Sequence, residues 1–130
     1  NHNTEHILKR YNEINSKYQE LIKKAKDNII NKIIYFQYGG NLSLSANISN
    51  QLMFEFPKKI IIVAYIKDDI ANISLRGKNV RKLTLEAIKD IPNATGGGHK
   101  NATGAKMPSA FLPKFKEKVE ELINKIKETK

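Results

Sequence analysis

The sequence feature that most constrains the fold is a continuous apolar run, KIIIVAYIKDD, from Lys59 to Asp69. No regular alternation of polar and apolar residues interrupts it, which is typical of a strand that is buried on both faces of a sheet. The adjacent Asp68 and Asp69 predict a tight turn into a second strand, Ile70 to Arg76. We therefore expect a β-hairpin at the centre of the fold.

The spacing of apolar residues predicts the other elements. One stripe predicts a long helix from about His6 to Ile30 and consists of Ile7, Tyr11, Ile14, Tyr18, Leu21, Ala25 and Ile29. The remaining predicted elements are a strand at Lys32–Tyr38, a helix within Leu42–Phe54, a short helix at Lys82–Lys89, a short strand at Ala105–Met107 and a last helix opened by Ser109 and Pro113, with Phe111, Phe115, Val119, Leu122 and Ile126 on one face. This order predicts the α/β (α+β) class, with a small mixed β-sheet of about four to five strands flanked by helices.

Length and composition limit the classes of protein that this chain can represent. A chain of 130 residues is long enough for one core and too short for two good ones. It contains no cysteine, which excludes disulfides and thiolate metal sites. No apolar run approaches the roughly 20 residues that a membrane span needs, and no signal-like segment opens the sequence. We expect a cytoplasmic domain cut from a longer protein, with no membrane association.

The charge balance favours a polyanionic partner. Lys and Arg number 23 against 13 Asp and Glu, which gives a net charge of +10 and an isoelectric point near 9.7. Such a field favours nucleic acid first and an anionic membrane surface second. Because 20 of the 23 basic residues are lysines, the alternative is a lysine-rich composition with solvated helix faces.

A glycine-rich stretch, NATGGGHKNATG, runs from Asn93 to Gly104. It has neither the spacing of a Walker A loop nor that of a dinucleotide fingerprint. Glycine lets the backbone approach a ligand closely, and successive backbone N–H groups can then line an anion site. A helical turn beginning near His99 would point further N–H groups at that site. The alternative is a flexible loop with a surface histidine.

Polar residues that follow the glycines add suitable chemistry. His99 is a donor that can gain charge near neutral pH, Lys100 carries a fixed charge, and Asn101 suits a ribose or a base edge. Arg76 ends the second hairpin strand, and its guanidinium can hold a phosphate through two parallel hydrogen bonds. For Lys78 and Lys82, which follow Arg76, a solvated helix start is an adequate explanation.

The sequence resembles a known family. ISLRGKNV, followed about twenty residues later by GGGHKNATGAKMP and an amphipathic last helix, looks like the DHH-associated domain. That domain forms the C-terminal half of DHH-family phosphoesterases, which include RecJ-like single-strand exonucleases, nanoRNases and cyclic dinucleotide phosphodiesterases. The usual motif is Gly-Gly-Gly-His-x-x-Ala-Ala-Gly; here Thr103 replaces an alanine, and Gly77 follows the arginine where serine is common. The resemblance covers roughly Lys32 to Ile126.

The resemblance implies a division of labour. Residues 1–31 would be a connector helix from a missing N-terminal catalytic DHH domain that holds manganese or magnesium, and residues 32–130 the substrate-binding domain. The expected substrates are single-stranded DNA or RNA, or short oligonucleotides. The residues expected to bind the substrate are Arg76, Gly96, Gly97, Gly98, His99, Lys100 and Asn101. We expect no catalytic residue, cofactor or metal site in this chain, because His2 and His6 lack a third ligand and the sequence has no Asp-His-His triplet.

Two alternatives remain open at this point. Some DHH relatives work as replisome scaffolds, which would make this chain a protein-interaction domain with a replisome protein as partner. A related glycine-rich motif also ends alanyl-tRNA synthetases, which would make the chain a tRNA-binding domain.

Overall fold

The structure, a computed structural model, describes residues 2–128 and the side chains of residues 3–126. In this part of the chain the elements are α1 (His2–Lys26), β1 (Ile29–Ile30), β2 (Ile33–Gly39), α2 (Ser45–Glu55), β3 (Ile60–Lys67), β4 (Ile70–Arg76), α3 (Val80–Ile88), β5 (Thr95–His99), β6 (Ala102–Pro108), a 3₁₀ turn (Ser109–Phe111) and α4 (Leu112–Glu128). The predicted class, a mixed sheet flanked by helices, is confirmed. The sheet has six strands within this range, slightly more than expected.

The strands lie in the order β1-β2-β3-β4-β6-β5. Among the described strands, only β2 and β3 pair in parallel, and α2 connects them, as a parallel pair requires. The predicted β3–β4 hairpin is confirmed. Its two turn residues, Asp68 and Asp69, have φ values of 52° and 65°, the backbone of a tight hairpin turn that matches the twist of the strands.

The strand β3 separates two apolar cores. Alternate side chains of a strand point to opposite faces of the sheet. Ile62 and Ala64 belong to the core beneath α3 and α4, whereas Ile61, Val63 and Tyr65 belong to the core beneath α1 and α2. All five side chains are buried, so the predicted burial of this strand on both faces is confirmed.

The C-terminal half of α1 packs on the domain. Leu21 and Ala25 are buried in the second core, and the Tyr18 hydroxyl donates to Oε1 of Gln51 in α2 at 2.6 Å. An ion pair of 2.8 Å between Lys26 and Glu55 adds a second link to α2. This half of the predicted stripe is therefore a packing face.

The rest of the predicted stripe is not a packing face. Ile7 and Tyr11 are 67% and 64% exposed, because the N-terminal half of α1 extends beyond the sheet. The helix also ends at Lys26 rather than Ile30, and Ile29 lies in β1, so its place on the helix was wrong. Asn28 explains the earlier end, since its side-chain amide donates to the carbonyl of Lys24 at 2.8 Å and caps the last turn.

The glycine-rich stretch is a strand rather than the predicted loop. β5 pairs along its whole length with β6, from Thr95 opposite Lys106 to His99 opposite Ala102. No helical turn begins near His99; a short turn at residues 100 and 101 leads into β6, which starts before the predicted Ala105. Pairing with a long neighbouring strand overrides the low strand propensity of glycine.

A pair of buried hydroxyls joins α3 to β6. The Thr84 hydroxyl donates to the carbonyl of Val80 at 2.8 Å and lies 2.7 Å from the hydroxyl of Thr103. Because Thr84 has already used its only proton, Thr103 must be the donor in the second bond. Both side chains are buried, so neither hydroxyl can turn to bulk water instead.

Replacing Thr84 by valine removes the acceptor and leaves the buried Thr103 hydroxyl without a partner. We expect Thr84→Val to lower the free energy of unfolding by about 1–3 kcal/mol. The double variant Thr84→Val/Thr103→Val removes both polar groups at similar shape and should recover much of that loss. Urea unfolding at constant m-value measures both changes. A double variant as unstable as the sum of its two single variants would contradict this pairing.

Candidate functional site

One half of a sheet face lies beyond the apolar core beneath α1 and α2, and α2 reaches it only at β4. On the side of α1 and α2, the buried strand residues of the apolar core come from β2 and β3, and Ile29 of β1 packs against them. The register places alternate residues of β4, β6 and β5 on the same side, nine of them in the three rows that cross all three strands. We call this surface the open face; it consists of Asn72, Ser74 and Arg76 from β4, Ala102, Gly104 and Lys106 from β6, and Thr95, Gly97 and His99 from β5.

Arg76 is the half-buried cation of the open face. Its Nη1 donates to the carbonyls of Leu75 and Thr103 at 2.9 and 3.2 Å, and its Nε donates to Oδ1 of Asn50 at 2.8 Å. Burial lowers the pKa of the guanidinium from its usual value. Among the described residues it forms no ion pair with a carboxylate, and its Nη2 has no hydrogen-bond partner.

His99 lies in the same row as Arg76. Arg76 pairs with Ala102, and Ala102 pairs with His99 on its other side. Neighbouring strands are about 4.8 Å apart, so the Cα atoms of Arg76 and His99 are roughly 10 Å from each other. The small side chain of Ala102 leaves the space between them clear, and His99 is exposed. The two side chains can therefore reach one ligand from opposite sides.

The three consecutive glycines have different environments. A Cβ on Gly96 would lie 3.0 Å from the Ile88 side chain of α3, and Gly98 combines a φ of 138° with a carbonyl oxygen 2.7 Å from such a Cβ. Gly97 has nothing within 4 Å of that position. Packing therefore favours glycine at 96 and 98. At 97, the absence of a side chain leaves the backbone of the open face accessible.

A groove of about 400 Å³ lies between α2 and β5, on the open face. Its lining residues are Ser43, Ser45, Ala46, Asn72, Ile73, Ser74, Thr95, Gly96, Gly104, Ala105 and Lys106. None of them is acidic, and the sequence has no Asp or Glu at 28–54, 70–85 or 91–116, the segments that supply them. The groove thus combines backbone, hydroxyl and amide groups with a lysine, which suits an anionic, hydrogen-bonding ligand.

The turn between β5 and β6 has a structural task. Asn101 Oδ1 accepts a hydrogen bond from the backbone N–H of Asn79 at 3.0 Å, and the Lys100 carbonyl accepts one from the N–H of Arg81 at 3.1 Å. These contacts satisfy N–H groups at the start of α3. The Lys100 side chain is exposed at the turn. Arg76, Gly97 and His99 thus share the open face. Gly96 and Gly98 pack closely against neighbouring elements instead, and Asn101 caps the start of α3.

Sequence reasoning missed Asn50 and six residues of the open face, among them Gly104 and Lys106. Asn50 orients Arg76 from α2, and Gly104 and Lys106 contribute the β6 part of the open face. No local signal marks Asn50, because it lies 26 residues from its partner. The alternation in ATGAKMP would have placed Gly104 and Lys106 on one face, had the strand been started at Ala102.

Among the described residues, no group of three or more His, Cys, Asp or Glu is arranged to hold a metal ion; the His2 side chain lies outside that range. None of the helices described here has the length and apolar character that crossing a bilayer demands.

Comparisons with known proteins identify relatives. The model of a family described as the DHHA1 domain matches residues 26–129. A structure of RecJ with Mg²⁺ from Thermus thermophilus has a TM-score of 0.67 and 18% identity, over 88% of this chain and 19% of that one. A structure of exonuclease RecJ bound to manganese has a TM-score of 0.62 and 16% identity, over 88% of this chain and 29% of that one.

The C-Ala domain of Aquifex aeolicus alanyl-tRNA synthetase is also similar, with a TM-score of 0.54 and 16% identity over 69% of this chain and 86% of that one. At these identities the similarity shows a shared fold. The chain spans about a fifth of the length of the Thermus RecJ structure. No curated protein sequence matches it.

The different environments of the glycines predict different effects of adding a methyl group. Gly98→Ala must strain the backbone or move β6, and we expect it to lower the free energy of unfolding by roughly 1–3 kcal/mol. Gly97→Ala should change that free energy by less than about 1 kcal/mol, since the space is empty. Parallel urea titrations measure both variants. Equal decreases in the free energy of unfolding would contradict the conclusion that packing requires glycine at 98 but not at 97.

Proposed function

Because this chain belongs to the DHHA1 domain family, we propose that it is the substrate-binding domain of a DHH-type, RecJ-like phosphoesterase that acts on single-stranded nucleic acid. Arg76 and His99 would hold a backbone phosphate between them on the open face. The basic side chains around them, including Lys100, would supply binding that is independent of base sequence and sensitive to salt.

The observation that carries this proposal is the state of Arg76. Burying a cation away from water is costly unless something compensates it. Here carbonyl and amide oxygens compensate only part of the guanidinium, and no described carboxylate pairs with it. A phosphate would complete the set, since it can accept two parallel hydrogen bonds from one guanidinium.

The surroundings of Arg76 support the same ligand class. The lining of the neighbouring groove contains no acidic residue. The backbone at Gly97 and Gly104 is free of side chains on this face, so that a sugar–phosphate chain could lie close to the sheet. An alkyl or cationic ligand would leave Arg76 uncompensated, whereas the phosphates of a nucleotide chain would pair with it.

The hydrolytic reaction is assigned to the part of the parent protein that this chain does not include. Two of the similar RecJ structures are described as containing Mg²⁺ or manganese. We propose that the parent enzyme binds such ions in its DHH half, and that α1 is the connector to that half. The exposed Ile7 and Tyr11 would then pack against the missing domain.

We expect Arg76→Ala to weaken binding of a labelled single strand of about ten nucleotides by roughly tenfold or more, because it removes charge-assisted hydrogen bonds. His99→Ala should have a smaller effect, of about two- to fivefold. Arg76→Lys keeps the charge but cannot make two parallel hydrogen bonds. Its affinity should lie between those of Arg76→Ala and the unmodified chain. Fluorescence anisotropy over a salt series measures these affinities.

Lys118→Ala is the matched control, since it removes one charge from α4, on the other side of the sheet. Circular dichroism melts verify that each variant remains folded. Identical affinities of all variants, or no binding at all, would overturn the proposal. In that case a protein-interaction role, tested by looking for a replisome partner, would take its place.

A preference for folded tRNA over the short strand would instead favour a tRNA-binding role. The similarity to the alanyl-tRNA synthetase C-Ala domain is the reason to include tRNA as a competitor in the same titration.

A further inference from the structure

The groove on the open face lies beside the row of Arg76 and His99, and neither of these two residues lines it. Its lining includes the row of Ser74 and Gly104 and the next row, with Lys106 between Asn72 and Thr95. Lys106 lies four residues along β6 from Ala102, the residue between Arg76 and His99. At about 3.3 Å per residue, this places Lys106 roughly 13 Å from that pair. The open face thus has Arg76 in the row at one end and Lys106 in the row at the other.

On β5 and β6, no side chain stands on the open face between the row of Arg76 and the row of Lys106. Gly97 and Gly104 face each other across β5 and β6 in the intermediate row. A side chain at Gly97 would meet nothing within 4 Å, and a Cβ at Gly104 would make only ordinary contact, at 3.6 Å from the Ile73 carbonyl. Neither has a φ in the left-handed region. Because neither space nor backbone conformation requires glycine at these positions, the open path itself is the feature that their glycines create.

The far end of the groove has unused binding groups. Lys106 is exposed and forms no ion pair with any carboxylate among the described residues. The side chains of Ser43, Asn72 and Thr95 line the groove, and none of them takes part in a hydrogen bond within the described part of the chain. A cation surrounded by free hydroxyl and amide groups is suited to a second phosphate and its sugar.

We infer that Lys106 forms a second phosphate site, so that the open face binds an oligonucleotide through two non-adjacent phosphates, with the nucleosides between them over Gly97 and Gly104. This inference rests on the proposed function, because it extends the same site. It makes the preferred ligand a linear strand of about three nucleotides rather than a mononucleotide. It also gives the strand a direction on the sheet, from the Arg76 row along β6 to Lys106.

The test is a length series of 5′-phosphorylated thymidylates, from one to four nucleotides, which compete with a labelled ten-nucleotide strand for the 130-residue chain. The unmodified chain should bind three nucleotides more tightly than one. Lys106→Ala should weaken binding of the trinucleotide by about two- to fivefold and leave that of the mononucleotide within about twofold. Its salt slope for the trinucleotide should fall by about 0.7, the value for one phosphate contact with a single strand.

Two further variants separate the possible outcomes. Lys106→Arg keeps the charge and should still bind three nucleotides more tightly than one. Lys118→Ala should behave like the unmodified chain. If Arg76→Ala weakens every length but Lys106→Ala matches Lys118→Ala, the second site is overturned and the proposed function stands. If Arg76→Ala has no effect at any length, the proposed function itself fails. If Lys106→Ala still binds three nucleotides more tightly than one to the same extent as the unmodified chain, the inference is also overturned. The strand would then extend toward Arg81 and Lys100 instead.

Discussion

Burial of β3 on both faces is the constraint on which the rest of the structure depends. A strand of this kind needs a helical layer on each side, and the chain supplies one pair of helices to each. The parallel β2–α2–β3 connection fixes α2 on one side. The chain then returns through β4 and adds β6 and β5 beyond it, so the sheet extends past the end of the layer formed by α1 and α2. The open face is the result.

The elements that the sequence predicts well are those with local signals. The apolar run of β3 and the Asp68-Asp69 turn each lie within a few residues, and both were placed correctly. The end of α1 was missed because Ile29 continues the helical spacing although it belongs to a two-residue strand. β5 was missed because its strand character comes from pairing with β6, and a run of glycines carries no strand signal of its own.

The candidate site divides in the same way. Its chemical groups could be chosen from the sequence, since a lone arginine at a strand end and a histidine after glycines are visible there. Their common row could not, because it depends on the register of three strands. Asn50 needed the tertiary structure altogether, because it lies 26 residues from Arg76. Conversely, the Oδ1 of Asn101, which the sequence offered to a ribose or a base edge, accepts a hydrogen bond from the backbone of Asn79.

The hydrogen bonds that hold Arg76 have an entropic consequence. A free arginine side chain has many rotamers, and immobilising such a side chain on binding costs about 0.5–1.5 kcal/mol. In this chain the Nε contact with Asn50 and the Nη1 contacts with two carbonyls already restrict the rotamers before any ligand arrives. Most of that ordering cost therefore belongs to folding rather than to association. A flexible lysine at the same place would carry the same charge but would have to be ordered anew at each encounter.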